Sequence, residues 1–219
     1  MGVLAYRGRI LSVIGVILLG FSFNLYYYFN FGHVEWSWHK IVMFLIVVTI
    51  SWFTGKQYDK AKYFSEKDVL TGIYNRRFVE SFFLKIKSMT ERNDQMFAVL
   101  VVDVNNFKMI NDALGHKEGD KVLKVISNEL EESVRDTDIV ARWGGDEFII
   151  LSPDIKKKEN AGDIINRIHH NLGNISFNNI EISVSIGASI YPNEGKTFDE
   201  LLSIADKNMY DMKITTKED

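Results

Sequence analysis

Arg142-Trp143-Gly144-Gly145-Asp146-Glu147-Phe148 lies between two apolar runs, Ile139-Val140-Ala141 before it and Phe148-Ile149-Ile150-Leu151 after it. An apolar run, a glycine pair and a second apolar run is the pattern of strand, tight turn and strand. Acidic residues therefore stand at a hairpin tip. Glycine lacks a Cβ and takes positive φ without strain, so backbone N–H groups can approach an anion while the neighbouring carboxylates hold a cation. For an isolated Gly-Gly-Asp, a solvated turn with surface acids is the simpler reading. The rest of the chain decides against it.

Upstream, Met96-Phe97-Ala98-Val99-Leu100-Val101-Val102 is a strongly apolar strand that ends on Asp103. An unpaired buried carboxylate is costly, so Asp103 calls for a cation or a strong donor. It can meet Asp146 if the two strands are neighbours. Residues 105–120, beginning Asn105-Asn106-Phe107-Lys108, read as a short helix and a turn that opens a second helix over 121–135. Asp120 there fits a first-turn acid favoured by the helix dipole, and His116 fits a structural histidine. Asp68-Val69-Leu70-Thr71-Gly72-Ile73-Tyr74-Asn75-Arg76-Arg77 is a turn leading into an amphipathic helix to about residue 92. Phe78, Phe82, Phe83 and Ile86 fall at helical spacing and supply its core face. Downstream of the hairpin, 161–171 reads as a helix, 180–190 as an alternating strand and 198–213 as a last helix.

The chain has 219 residues, a formal net charge of -3 and no cysteine, so any metal must sit on oxygen or imidazole. Near-neutral charge argues against a general nucleic-acid binder. The first quarter is almost free of charge. Residues 10–31 carry none, long enough at ~1.5 Å per residue to cross a ~30 Å hydrocarbon layer. The run is too long for a signal-peptide core, and no small-x-small cleavage site ends it. A second span over about 37–54 uses Trp36, Trp38 and His39 at the interface, with Lys40 snorkelling. Arg7 and Arg9 before the first span, and Lys56, Lys60 and Lys62 after the second, put both ends in the cytoplasm of a multi-pass inner-membrane protein. The expected organisation is a hairpin in the bilayer (1–55), a connector helix (56–67) and a soluble domain (68–219). The connector either pairs with its copy in a dimer or lies alone on the surface.

Three segments together, Asp68 to Arg77, Asp103 to Asp120 and Arg142 to Phe148, are similar to the GGDEF-domain diguanylate cyclase family. Val184-Ser185-Ile186-Gly187-Ala188 and Ala205-Asp206-Lys207-Asn208-Met209-Tyr210 support the resemblance, which covers about 68–213. It implies a palm-like α/β (α+β) domain, a central mainly antiparallel sheet flanked by helices, preceded here by a two-helix transmembrane hairpin. It implies condensation of two GTP into cyclic di-GMP and pyrophosphate across a homodimer, with two Mg²⁺ per active site and Mn²⁺ as an alternative. The resemblance places Asp103, the Val104 carbonyl, Asp146 and Glu147 at the metals, with Asp146 as proton acceptor. It puts Lys108 on the phosphates with Gly144, Gly145, Lys213 and Lys217, and Asn111, Asp120 and the adjacent His116 at the guanine. A carboxylate at Asp120 suits guanine N1–H and N2–H and finds no such donor pair on adenine. Arg135-Asp136-Thr137-Asp138 matches the Arg-x-x-Asp of members inhibited by their product, cyclic di-GMP; the alternative is a helix-terminal arginine with a solvated aspartate.

The chain also departs from the family pattern. Asn105 replaces a frequent second aspartate, Lys217 replaces an arginine that would bind bidentately, and a Gly-Arg-Asn ending is absent. A catalytically silent membrane receptor for cyclic di-GMP or GTP is therefore the rival to an active cyclase.

Overall fold

The charge-free run folds as one helix, α1 (Arg7–Phe31), and the second apolar run as another, α2 (Trp38–Glu66), which carries the connector residues without a break. Both are long and apolar enough to cross a membrane. The structure, a computed structural model, describes residues 7–32, 37–156, 159–173, 175–178 and 180–218, with side chains to residue 213. It divides into two units, Met1–Ser65 and Glu66–Asp219.

In the first unit the helices approach closely where one glycine from each faces the other. A Cβ on Gly55 would lie 2.6 Å from the Arg9 Cα, and one on Gly8 would lie 3.0 Å from the Gly55 carbonyl. The Asp59 carboxylate accepts from the Gly8 N–H (2.7 Å), the Arg9 N–H (3.3 Å) and Arg9 Nε (3.2 Å). An acid on the otherwise unsatisfied N–H groups of a helix start is favourable for both hydrogen bonding and the dipole.

In the second unit the elements run β1 (Tyr74–Asn75), α3 (Arg76–Asn93), β2 (Met96–Val104), α4 (Phe107–Leu114), α5 (His116–Ser133), β3 (Ile139–Arg142) and β4 (Glu147–Ile155). They continue with α6 (Glu159–Leu172), β5 (Ser176–Phe177), β6 (Ile180–Glu181), β7 (Val184–Tyr191) and α7 (Phe198–Glu218). The main sheet has the order β1-β3-β4-β2-β7; β1 and β3 are parallel and the other pairs antiparallel.

Alternation along the central strands assigns the two faces. Ala98, Leu100, Val102, Phe148 and Ile150 pack with α5 and α6 through Val122, Leu123, Ile126, Leu130, Ile164 and Ile168. Val99, Ile149 and Leu151 face α3 and α7 through Val79, Phe83, Ile86 and Leu201, while Val101 meets Ala205 and Met209. Each Val, Leu, Ile or Phe side chain fully buried there contributes ~1.5–3 kcal/mol relative to exposure.

Two boundaries differ from the sequence expectation. The second helix starts at His116, not Lys121, so Gly119 and Asp120 are helical. The strand expected over 180–190 is broken: β6 turns away to pair with β5 in a separate ribbon, and β7 begins at Val184. Alternation alone could not reveal which partner each part would take.

Candidate active site

The β2/β4 register sets Asp103 directly opposite Glu147. Asp103 follows Val99 and Val101 on the α7 face, as Glu147 precedes Ile149 and Leu151 on it. The turn is drawn to the same end of the sheet by the Val104 N–H, which donates to the Asp146 carbonyl at 3.2 Å. Asp103, Asp146 and Glu147 are half-buried together. On α7, one turn beyond Met209, Lys213 forms an ion pair with Asp103. The Glu147 carboxyl is held above its ordinary range, first by burial and then by the negative charges of Asp103, Asp146 and Asp206, with Lys213 opposing.

The glycine pair works differently from the sequence expectation. Neither Gly144 nor Gly145 has positive φ; among the described glycines only Gly32, Gly72 and Gly115 do. The Gly144 N–H is engaged within the hairpin, on the Glu147 carbonyl at 3.3 Å. What glycine supplies is room. A Cβ on Gly144 would sit 2.9 Å from Glu147 Oε2, and one on Gly145 would meet nothing within 4 Å. Arg142 fixes the turn: Nε donates to the Gly144 carbonyl and NH2 to the Gly145 carbonyl at 2.7 Å, while NH1 reaches Asp68 Oδ1 at 3.3 Å. The same Asp68 oxygen accepts from the Thr71 N–H and hydroxyl. Burial pulls the Asp68 carboxyl upward, but the Thr71 hydrogen bonds and the Arg142 charge prevail and hold it below its ordinary range. The composition of each segment pointed to neither Arg142 nor Asp68 as a pair, because the contact depends on β1 lying beside β3.

Asn105 takes a defined place at the end of β2. Its Nδ2 donates to Ser183 Oγ at 3.1 Å, its Oδ1 accepts from the Ser185 hydroxyl at 2.8 Å, and its N–H donates to the Ser183 carbonyl. The amide thus joins the carboxylate-bearing strand to the start of β7, a job that needs both a donor and an acceptor.

Lys108 lies exposed in the first turn of α4, directly after the β2 end. Asn111, on the same helix, has its carboxamide against Gly119 of α5, one residue from exposed Asp120. His116 is exposed at the start of α5. Arg135 is also exposed, whereas Asp138 is 8 % exposed, and its carboxylate is consumed internally by the Arg135 N–H (2.9 Å) and the Ser152 hydroxyl (2.9 Å). The pair is therefore joined through the Arg135 backbone. The phosphate contact expected of Lys217 lies outside the described side chains.

Among the described residues no three Asp, Glu, His or Cys side chains form a ready-made metal cluster. The donors nevertheless fit magnesium, a hard cation that takes carboxylate and carbonyl oxygen. Asp103, Asp146 and the Val104 carbonyl would hold it, with Glu147 beside them. Burial first, and then the repulsion among these acids, disfavours the charged Glu147 carboxylate, and a divalent cation would offset both.

Residues 65–219 match a family profile described as "Diguanylate cyclase, GGDEF domain". The diguanylate cyclase DosC of Escherichia coli is 37% identical over 147 residues, 65% of this chain and 32% of DosC. The uncharacterized protein YhcK of Bacillus subtilis is 35% identical over 166 residues, 73% of this chain and 45% of YhcK. The chain thus spans less than half the length of these curated relatives. The GGDEF domain of PA1120 (TpbB or YfiN) from Pseudomonas aeruginosa superposes with a TM-score of 0.65 at 34% identity, over 68% of this chain and 89% of that one. Family profile, relatives and fold agree: the chain belongs to the GGDEF-domain diguanylate cyclase family.

Proposed function

We propose that this chain is an active, membrane-anchored diguanylate cyclase that condenses two GTP into cyclic di-GMP and two pyrophosphates. The observation that carries the reading is the Asp103–Glu147 pairing across β2 and β4, with the Asp146 backbone tied to Val104. In each half-reaction a ribose 3′-oxygen attacks an α-phosphorus, a P–O bond forms, and the bond to the β-phosphate oxygen breaks to release pyrophosphate. Bound Mg²⁺ would lower the cost of the 3′-alkoxide and of charge on the α-phosphate. Asp103, Asp146 and the Val104 carbonyl would hold the cations, with Glu147 beside them, and Asp146 also accepts the 3′-hydroxyl proton. The open space over Gly145 admits the phosphates, which Lys108 and Lys213 steady. Lys213 then exchanges its Asp103 partner for phosphate oxygen when the nucleotide arrives. Asn111 and Asp120 read the guanine, and His116 borders it. Each domain carries one GTP, so the reaction requires a homodimer, with α1 and α2 in the bilayer and both termini cytoplasmic. Product binds at Arg135 and inhibits, while Asp138 shapes the turn that presents it.

The test uses the full chain in detergent or liposomes with Mg²⁺ and GTP, assayed for cyclic di-GMP beside Asp146→Ala. Synthesis that the substitution abolishes is the expected result. The rival reading, a silent receptor, is favoured by the positions at which the chain departs from the family, Asn105 and Lys217. It takes over if the wild-type protein binds cyclic di-GMP or GTP yet makes no product.

A further inference from the structure

Gly119 is the fourth residue of α5, inside an 18-residue helix, where glycine is a poorer helix former than alanine. Its φ is not in the left-handed region, so no backbone requirement explains it. Space does. A Cβ at this position would lie 2.0 Å from Asn111 Oδ1, 3.0 Å from Asn111 Cγ and 3.4 Å from the edge of the Phe107 ring. Gly119 is buried while Asp120, the next residue, is exposed. The bare glycine surface is therefore the seat on which the Asn111 carboxamide rests, beside the carboxylate that follows it. Asn111 is itself anchored from behind, since its carbonyl accepts the Gly115 N–H at 2.8 Å where α4 ends and α5 is about to begin.

We infer that Gly119 is a positioning residue for nucleotide recognition, holding the Asn111 carboxamide at the guanine beside Asp120 by offering it a surface without a Cβ. This rests on the proposed assignment of Asn111 and Asp120 to the base. What an added methyl displaces is the tip of a flexible side chain, not backbone. Gly119→Ala should therefore fold, and gain helix propensity, while its Asn111 amide is driven off its seat.

The experiment measures GTP affinity by titration calorimetry with Mg²⁺, together with KM, kcat and melting temperature, for the full chain and three variants: Gly119→Ala, Asn111→Ala and the double variant. Loss of one well-placed hydrogen bond to the base predicts about tenfold weaker GTP binding and higher KM for Gly119→Ala, with kcat within about twofold. Its melting temperature stays at or above that of the wild type. Because Gly119 acts through Asn111, Gly119→Ala adds no further loss in the Asn111→Ala background. Additive losses, or a fall in kcat and melting temperature together, overturn the inference and leave Gly119 a packing residue. If the wild type binds GTP and Gly119→Ala binds it equally well, only this inference falls. If the wild type binds no GTP, the proposed function falls with it.

Discussion

Asp138 and Arg135 are three residues apart and do unlike work. The Asp138 carboxylate is buried and shared between the Arg135 N–H and the Ser152 hydroxyl, and Ser152 is itself only 1 % exposed. Asp138→Ala strands both donors, each at a cost of ~1–3 kcal/mol, and should lower the denaturation midpoint. Arg135→Ala leaves that turn intact and should preserve stability while abolishing inhibition in a titration with cyclic di-GMP. Inhibition that survives Arg135→Ala would remove the product site from this surface. Tyr191 offers a second test, on the edge strand β7. It is 4 % exposed and donates to Glu91 Oε1 at 2.7 Å; burial first, then that hydrogen bond and charge, push its phenol up to about 12. An acid whose folded pKa is raised binds its proton more tightly in the native state, so its share of stability is intact below the unfolded value near ~10 and is lost as pH climbs toward 12. Denaturation midpoints followed through that window should fall for the wild type and fall less for Tyr191→Phe. Asp103 and Asp146 drew notice because a carboxylate in an apolar or glycine setting needs explaining, whereas Asp120 read as an ordinary first-turn acid and entered only through the family resemblance. Gly119 and the Asp68–Arg142 pair were not legible, since their meaning lies in which atom sits across the fold from them.

Elements came through the sequence where a period was uninterrupted, as in α3, β2 and the β3/β4 hairpin, and blurred where two short pieces shared one period. The run over 180–190 alternates correctly, yet Ile180 and Glu181 pair with β5 while Val184 onward pairs with β2. Choice of partner is tertiary and leaves no mark on alternation. The close contact between β7 and α7 is equally hidden in the sequence and can be tested. A Cβ on Gly187 would lie 2.0 Å from the Ala205 carbonyl oxygen and 2.2 Å from the Met209 nitrogen, both backbone atoms. Backbone cannot rotate aside as a side chain can, so Gly187→Ala must push α7 off the sheet, an overpacking cost of ~1–3 kcal/mol or more. Since α7 carries Lys213 to Asp103, the same displacement should weaken GTP binding. Gly145→Ala is the control for stability: its Cβ meets nothing within 4 Å and its φ is ordinary, so its melting temperature should match the wild type. Equal melting temperatures for Gly187→Ala and Gly145→Ala would refute the contact.

At the scale of the whole molecule, α2 is one unbroken helix from Trp38 to Glu66, carrying the second apolar run and the charged residues that follow it. What steadies this helix before it leaves the hairpin is the Gly8–Gly55 approach and the Asp59 carboxylate on the α1 start. The Ser12 hydroxyl adds a bond to the Ser51 carbonyl at 2.9 Å. No Gly-x-x-x-Gly spacing announced this, since each helix lends a single glycine. Closely approaching backbones and interhelical hydrogen bonds are what hold helices together where lipid removes the hydrophobic drive. Gly55→Leu must separate the two backbones, since its Cβ alone would overlap the Arg9 Cα at 2.6 Å. Asp59→Ala removes only the cap and the Arg9 ion pair, a loss of ~1 kcal/mol or somewhat more at a helix start. The chain has no cysteine, so Ser12→Cys with Ser51→Cys reports the spacing cleanly through a short bifunctional thiol crosslinker. Crosslinking in liposomes should be rapid in the otherwise native chain, several-fold slower with Asp59→Ala and nearly absent with Gly55→Leu. Were Gly55→Leu to crosslink as fast as the parent, the two helices would not be held at Gly8 and Gly55.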